Sequence, residues 1–229
     1  MPTMDKEGLL RALWRDKMHV EARALELAPA AVRRSYEHAF HPTELVLEGL
    51  RAFPEGLLRL WWTCPRGHLV FTHLPSRYAP GPQPWRDDTL TAVAYVSIVE
   101  LRQDPSAVWR ALLELVDHLL GGACDEARPR FSQGAGITPQ LAEVAQRFTE
   151  IAALGYAARE LGAEDAAQDA AQDAAQNAPH DAAEYLTRTL WLYLREPRRL
   201  NVLDPLAYRL YHGTLMAEDF WAGQCPPPE

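Results

Sequence analysis

One stretch limits the folds open to this chain more than any other: residues 104–122, which read DPSAVWRALLELVDHLLGG. Asp104 can cap a helix, Pro105 suits the first helical position, and the two glycines at the end are a stop signal. Between them, large apolar residues recur at helical spacing: Val108, Leu112, Leu115, Val116, Leu119 and Leu120. The stretch therefore predicts an amphipathic helix whose broad apolar face must be covered by other parts of the chain.

The opposite side of this helix carries polar residues, and two interpretations of them are open. Glu114 and His118 are four residues apart, so they lie one above the other on the helix. Two metal ligands of the H-E-x-x-H motif have the same spacing, although here the five residues read ELVDH. The alternative is a solvated face on which Arg110 and Glu114 form an ordinary ion pair worth a few tenths of a kcal/mol.

Composition limits the class of protein. The chain has 229 residues, of which 48% are hydrophobic, and this is enough for one large domain or two small ones. Its net charge of −8 argues against general nucleic-acid binding, which needs clustered cations. No apolar run is long enough to span a membrane, so no membrane partner is expected. Three widely separated cysteines, Cys64, Cys124 and Cys225, favour a cytoplasmic location, where thiols stay reduced.

The first half of the chain is predicted to mix helices and strands. Residues 5–53 have helical patterns, whereas residues 57–64 (LLRLWWTC) alternate and are rich in bulky side chains, as strands are. A second strand is predicted over 68–74. A proline-rich loop over 75–88 and a third strand over 89–102 then lead into the central helix.

Metal-ligand residue types also occur in this half, but their spacing favours no metal site. Cys64 and His68 could form one ligand pair, yet no second pair accompanies them, so a turn between strands is the better interpretation. His68 and His73 are five residues apart on a predicted strand. They are therefore expected to point to opposite faces of the sheet and not to share a metal.

The second half is predicted to be helical on either side of a low-complexity insertion. Helices are expected over 139–161 and 181–194, and Asp204 with Pro205 begins a final one. Residues 162–178 contain AAQD, AAQD and AAQN, a repeat of period four that has no large apolar group to bury. We expect this insertion to be solvated, and frayed or disordered.

The helical region after the insertion carries a family resemblance. Residues 183–215, AEYLTRTLWLYLREPRRLNVLDPLAYRLYHGTL, resemble the C-terminal signature of the lethal-factor-like zincins, the group that contains the anthrax lethal factor peptidase domain and the Pro-Pro endopeptidases. In that family the signature begins with a Glu, the first residue of the pattern E-[FY]-F-A-E-A-F. It continues with a helix rich in Leu and Tyr, then a Pro, and then a helix with the pattern D-P-x-x-Y. The matching residues here are Glu184, Tyr185, Leu186, Pro197, Asp204, Pro205 and Tyr208. Residues 47–62 resemble the opening helix-and-strand unit of the family. Residues 89–122 resemble the strand that leads into its H-E-x-x-H helix, together with that helix.

The resemblance implies a fold and a division of the chain. The fold would be α+β and zincin-like, mostly helical, with a small mixed sheet and a central helix of the kind that holds the metal. The chain would consist of a helical segment at 1–43, a zincin-like domain at 44–216 that contains the insertion 162–178, and a tail at 217–229.

The resemblance also assigns roles to residues. The first metal ligand falls on Glu114, the general base on Leu115, the second ligand on His118 and the third on Glu184. Two carboxylates and one imidazole suit Mn or Mg about as well as Zn. No tightly bound cofactor is therefore expected, although a divalent metal such as Zn or Mn is compatible with the ligands.

Other residues of the implied cleft depart from the family. A tyrosine that assists the transition state there has no counterpart here, because its place falls near Asn177 in the repeat. Tyr156 could replace it only if the chain returns that side chain to the cleft. Asp117 and Tyr185 are the remaining candidate cleft residues.

Leu115 decides the functional expectation, since a leucine can neither accept a proton nor polarise water. We expect a degenerate peptidase that acts as a binding or regulatory module for a protein or peptide, which would lie extended along a sheet edge. The alternative is an active metal-dependent hydrolase that uses Glu114, His118 and Glu184 as ligands and Asp117 as the base. A third interpretation is an unrelated helical domain in which the Glu114–His118 spacing has no functional meaning.

Overall fold

The computed structural model describes residues 4–122, 129–160 and 170–222, and it gives side chains for all of these except 155–160 and 170–181. The helices are α1 (Lys6–Lys17), α2 (Ala24–Leu27), α3 (Ala30–Arg34), α4 (His41–Leu50), α5 (Glu55–Thr63), α6 (Glu100–Gln103), α7 (Ser106–Gly121), the 3-10 turn η1 (Phe131–Gln133), α8 (Pro139–Glu160), α9 (Ala170–Arg195), α10 (Pro197–Leu203), α11 (Pro205–Gly213) and α12 (Glu218–Ala222). The strands are β1 (Met18–Val20), β2 (His68–Thr72), β3 (Arg77–Ala79), β4 (Gln83–Trp85), β5 (Asp88–Leu90) and β6 (Val93–Ser97). None of the helices in these ranges is long and apolar enough to cross a membrane.

Four of the strands form one small mixed sheet in the order β1-β2-β6-β3. The first three strands are parallel, and β3 runs antiparallel to β6 at one edge. Strands β4 and β5 pair with each other as a separate antiparallel hairpin. The predicted class, α+β with mostly helical structure and a small mixed sheet, is therefore confirmed, whereas the zincin-like assignment stays a prediction.

The two faces of the sheet are covered differently. One face belongs to the main core, where Leu69, Phe71, Ala94 and Val96 pack among the helices. On the other face the β4–β5 hairpin covers a smaller apolar cluster, whose members are Val70, Leu90 and Val93 with Trp85 and Tyr95 at its margin. Alternation along the strands explains this division, because neighbouring residues point to opposite faces.

The central helix forms as its sequence predicts. Asp104 Oδ1 accepts a hydrogen bond from the Ser106 N–H at 3.0 Å, and the helix ends at Gly121, before Gly122, whose φ of 126° suits glycine. Helix α7 crosses β6 and β3 and packs along α9. Its apolar residues Val108, Leu112, Leu115, Val116 and Leu120 are all 0% exposed. This helix is therefore the centre of the main core.

Two predicted strands are wrong in whole or in part. Residues 57–63 lie in helix α5, where Leu57, Leu58 and Trp61 fall on one helical face and are buried, and Cys64 follows the helix. Residues 89–102 are divided into β5, β6 and α6, and the break falls at Ala92, whose φ is 55°. The predicted proline-rich loop contains β3 and β4. The strand prediction for 68–74 is close to the observed β2.

Two further segments differ from the sequence prediction. The segment 1–43, predicted to be helical, also contributes strand β1 to the sheet, and Leu9 and Leu13 of α1 lie in the main core. Residues 170–178 of the insertion form the first part of helix α9, so the predicted frayed structure is wrong there. Residues 162–169 of the insertion and 223–229 of the predicted tail lie outside the described residues.

Candidate functional site

His118 lies at the end of α7 and faces the edge strand β3. Its Nδ1 hydrogen-bonds the hydroxyl of Tyr78 at 2.5 Å, and only 3% of the residue is exposed. Burial is the main cause that lowers the pKa of His118, and the positive charges of Arg130 and Arg66 lower it further. Burial also raises the pKa of Tyr78. At neutral pH the tyrosine therefore stays protonated and the imidazole stays neutral, so this hydrogen bond joins two uncharged groups.

Asp117 is buried on the same helix, and its partner is a backbone segment. Its two oxygens accept hydrogen bonds from the N–H and the Oγ of Ser132, both at 2.7 Å, and the residue is 0% exposed. Burial raises the pKa of this carboxyl group to about 6, although both bonds from Ser132 act in the opposite direction. Asp117 thus fastens η1 to α7 and is not exposed to a cleft.

The solvated-face interpretation of the central helix is wrong for two of its polar residues. Asp117 and His118 are buried, whereas Glu114 is half-buried and Arg110 is exposed. Glu114 lies close enough to Tyr78 and Asp117 for its charge to raise both of their pKa values. The helix therefore turns a polar cluster inward at its C-terminal end.

The three predicted metal ligands are not brought together. Glu184 is exposed and lines a surface cavity of about 280 Å³ with Ser106, Arg110, Thr187, Arg188 and Trp191. Arg110 precedes His118 by eight residues, which is about 12 Å along a helix. Among residues 4–122, 129–160 and 170–222, no group of three His, Cys, Asp or Glu side chains is arranged to hold a metal ion. The proposed ligand set Glu114, His118 and Glu184 therefore lacks geometric support.

The other predicted cleft residues have structural positions or cannot be placed. Leu115, at the position of the general base, is 0% exposed in the core. Tyr185 is 3% exposed, and its hydroxyl donates to the Asp204 carboxylate. It is a core residue, and its assignment to a cleft is wrong. The side chains of Tyr156 and Asn177 lie outside the described part of the chain.

A larger concavity lies along the outer edge of β1 at the opposite side of the sheet. We call it the β1 groove; its volume is about 510 Å³. Its lining residues are Trp14, Arg15, Met18, His19, Val20, Glu21, Ala22, Leu25, Ala39, Phe40, Thr43, Trp85 and Arg86. The groove is thus formed by an edge strand, the end of α1, the residues before and at the start of α4, and the turn of the β4–β5 hairpin.

Exposed aromatic side chains dominate the wall of the β1 groove. Trp14 and Phe40 meet edge to face with ring centroids 6.1 Å apart, and they are 41% and 53% exposed. The indole N–H of Trp14 donates to Thr43 Oγ1 at 3.0 Å, which fixes its ring. Large apolar rings left this exposed beside a concavity are typical of a binding surface.

The charges in the β1 groove differ in how they are paired. Arg15 is bound to Asp16 by two hydrogen bonds, and His73 Nδ1 lies 3.8 Å from Glu21 Oε2. Arg86 lies over the ring of Trp85 at 5.5 Å and makes no ion pair with any described residue. Its backbone φ of 54° holds it at the tip of the hairpin turn. The groove therefore offers one guanidinium to a negatively charged ligand.

The sequence did not predict a histidine pair that lies beside the groove. His19 Nε2 and His68 Nδ1 are 3.1 Å apart, and His68 Nε2 lies 3.3 Å from the Pro65 carbonyl oxygen. The pKa of His68 is lowered to about 4, mainly by burial and further by the charges of Lys17 and His19. The two histidines are 49 residues apart, and only the β1–β2 pairing, which sets His19 opposite Val70, brings them together. No local pattern could have predicted it.

Neither a family model, nor a curated protein, nor a solved structure matches this chain. The resemblance to the lethal-factor-like zincins therefore stays a prediction.

Proposed function

We propose that this chain is a peptide-binding module in which an extended peptide adds a strand to the outer edge of β1. The observation that carries the proposal is the β1 groove, a concavity of about 510 Å³ that runs beside the outer edge of β1, which pairs with no other strand among the described residues. Strand addition to an exposed edge is a common mode of peptide recognition, because the backbone supplies affinity and side-chain pockets supply specificity.

The backbone of β1 supports this mode of binding. The N–H of Glu21 donates to the Phe71 carbonyl of β2 at 3.0 Å. Because successive residues of a strand direct their polar groups to opposite sides, the N–H and C=O of Val20 point away from β2 and toward the groove. A peptide strand can pair with these groups without disturbing the sheet.

The side chains of the groove indicate which peptide fits. Trp14 and Phe40 would cover an apolar side chain, which aromatic rings bind without losing much conformational freedom. Arg86 would pair with a carboxylate of the peptide, since it makes no ion pair within the described residues. The expected ligand is therefore an extended peptide that carries one apolar and one acidic side chain.

Binding accounts for the observations better than hydrolysis does. Asp117 and His118 are engaged with Ser132 and Tyr78, and Leu115 is buried. The β1 groove and the Tyr78–His118 pair lie at opposite edges of a four-stranded sheet, which is about 14 Å wide. A peptide in the groove would thus lie away from the polar cluster of the central helix.

Peptide display followed by affinity measurement tests the proposal. Random peptides are selected on the full chain, and their Kd values are measured by fluorescence anisotropy. Val20→Pro removes the outward N–H but leaves the bonds from His19 and Glu21 to β2, as proline is tolerated on edge strands. We expect Val20→Pro and Phe40→Ala each to weaken binding by about tenfold or more.

Leu27→Ala is the matched control for Phe40→Ala. Leu27 is 52% exposed, almost the same as Phe40 at 53%, but it does not line the groove. Its truncation is expected to leave Kd unchanged, and thermal melting checks that every variant is folded. Selected peptides that bind all three variants as tightly as the original chain would show that the groove is not the binding site.

A further inference from the structure

Three exposed apolar side chains cluster at the corner between α10 and α11, far along the chain from the β1 groove. Val202 is 81% exposed, Leu203 is 65% exposed and Leu206 is 40% exposed. We call these three residues the apolar tip. Exposure this high means that the side chains project from the surface, so the tip is convex rather than a pocket. Soluble surfaces rarely place three such residues together without a partner.

The apolar tip belongs to a positively charged stretch of an otherwise acidic protein. Residues 188–209 contain five arginines, Arg188, Arg195, Arg198, Arg199 and Arg209, against Glu196 and Asp204, which gives +3. The whole chain carries −8, so the remaining residues carry −11. Arg195, Arg198, Arg199 and Arg209 are all exposed. The region is therefore opposite in charge to the rest of the chain.

Aromatic rings of α9 and α11 contact one another close to the tip in the chain. Tyr193 and Tyr208 lie with ring centroids 5.7 Å apart, and Tyr208 stacks on His212 at 5.3 Å. The Tyr193 hydroxyl is 3.1 Å from His212 Nδ1. Both tyrosines are half-buried, so each combines a packed ring with a polar end. Tyrosines in this arrangement suit a boundary between apolar and aqueous surroundings.

From this arrangement we propose that the apolar tip binds the surface of a membrane that contains anionic lipids. The apolar side chains would enter the headgroup region, and the exposed arginines of the same stretch would pair with lipid phosphates. A protein partner is less well supported, because a stable interface covers about 800 Å² on each side and needs a complementary shape, whereas this tip is small and convex. The proposed contact is peripheral and spans no membrane, and it differs from the expectation that no membrane partner exists.

Vesicle flotation with the full chain tests the proposal. Vesicles of phosphatidylcholine alone are compared with vesicles that also contain phosphatidylglycerol, at low and high salt. We expect the chain to float only with the anionic vesicles and to be released by salt. Leu203→Asp and Arg198→Glu should each lower the bound fraction about tenfold, because one removes apolar insertion and the other reverses a charge.

Two matched controls separate the tip from general effects. Leu74→Asp changes another exposed leucine, which is 55% exposed, and Arg11→Glu changes the net charge by the same amount as Arg198→Glu. Both controls are expected to float like the original chain. Equal flotation of all variants, or no flotation of the original chain, would overturn the proposal. A dimer that is seen in gel filtration and is disrupted by Leu203→Asp would also overturn it. Binding of the chain to polyglutamate but not to vesicles would do the same.

Discussion

At the scale of single residues, Lys17 shows how a charged side chain can be part of the core. It is 5% exposed, and its Nζ donates to the carbonyl oxygens of Cys64 at 2.5 Å and Arg66 at 3.1 Å. Burial lowers the pKa of this amine, and the nearby Cys64 and Asp16 partly oppose that shift. The lysine therefore joins the end of α1 to the turn before β2, and so it helps to fix β1 in the sheet.

Replacing Lys17 tests how much its two hydrogen bonds contribute to the free energy of unfolding. Lys17→Met keeps the apolar stem but leaves two buried carbonyl groups without their donor, so the free energy of unfolding should fall by about 1–3 kcal/mol. Lys6→Met is the control, because Lys6 pairs with Glu218 at 3.5 Å on the surface and its loss should cost well under about 1 kcal/mol. Urea unfolding of both variants gives the comparison. Equal losses would mean that the Lys17 bonds contribute no more than a surface ion pair.

At the scale of elements, the close contact of α7 with η1 depends on a glycine. A Cβ atom on Gly121 would lie 2.5 Å from the Pro129 carbonyl oxygen and 2.6 Å from the Phe131 nitrogen. Since these are backbone atoms, Gly121→Ala should displace η1 and lengthen the Asp117–Ser132 bonds. We expect a loss of about 1–3 kcal/mol in the free energy of unfolding. A Cβ atom on Gly213 would meet no atom of another described part of the chain within 4 Å, so Gly213→Ala should be neutral or stabilise α11 by up to about 1 kcal/mol. Chemical denaturation measures both, and a Gly121→Ala variant as stable as Gly213→Ala would contradict the tight contact.

The same elements show what the sequence could and could not predict. Helix α7 was predictable because its caps and its apolar spacing are local. Helix α5 was not, since LLRLWW satisfies both a strand pattern and a helical face, and the close contact of Gly56 with Trp221 joins residues far apart in the chain. The burial of Asp117 depends on Ser132, fifteen residues later, and the β1 groove depends on segments far apart in the chain. Contacts of this kind carry no local signal.

At the scale of the whole molecule, two titratable groups make stability in mildly acidic solution depend on pH in opposite directions. The pKa of Asp117 is raised from 3.8 to about 6, so its contribution to stability is complete below pH 3.8 and is lost as the pH rises through 6. The pKa of His68 is lowered from 6.5 to about 4, so its contribution is complete above pH 6.5 and is lost as the pH falls through 4. Between about pH 4 and pH 6 both groups change the free energy of unfolding, and the two effects partly cancel.

Removing either group should expose the effect of the other. Asp117→Asn keeps an acceptor for the Ser132 N–H and a donor for its Oγ, so the fold is preserved while the titration is lost. Relative to the original chain, its free energy of unfolding should rise with pH, by an amount on the order of 3 kcal/mol from pH 4 to 7. His68→Gln should show the reverse, with stability that falls as the pH rises over the same range. Guanidinium unfolding at intervals of pH measures both curves. The free energy of unfolding of either variant could instead follow the same pH dependence as that of the original chain. The missing group would then have the same pKa in the folded and unfolded states, and its burial would have no electrostatic cost.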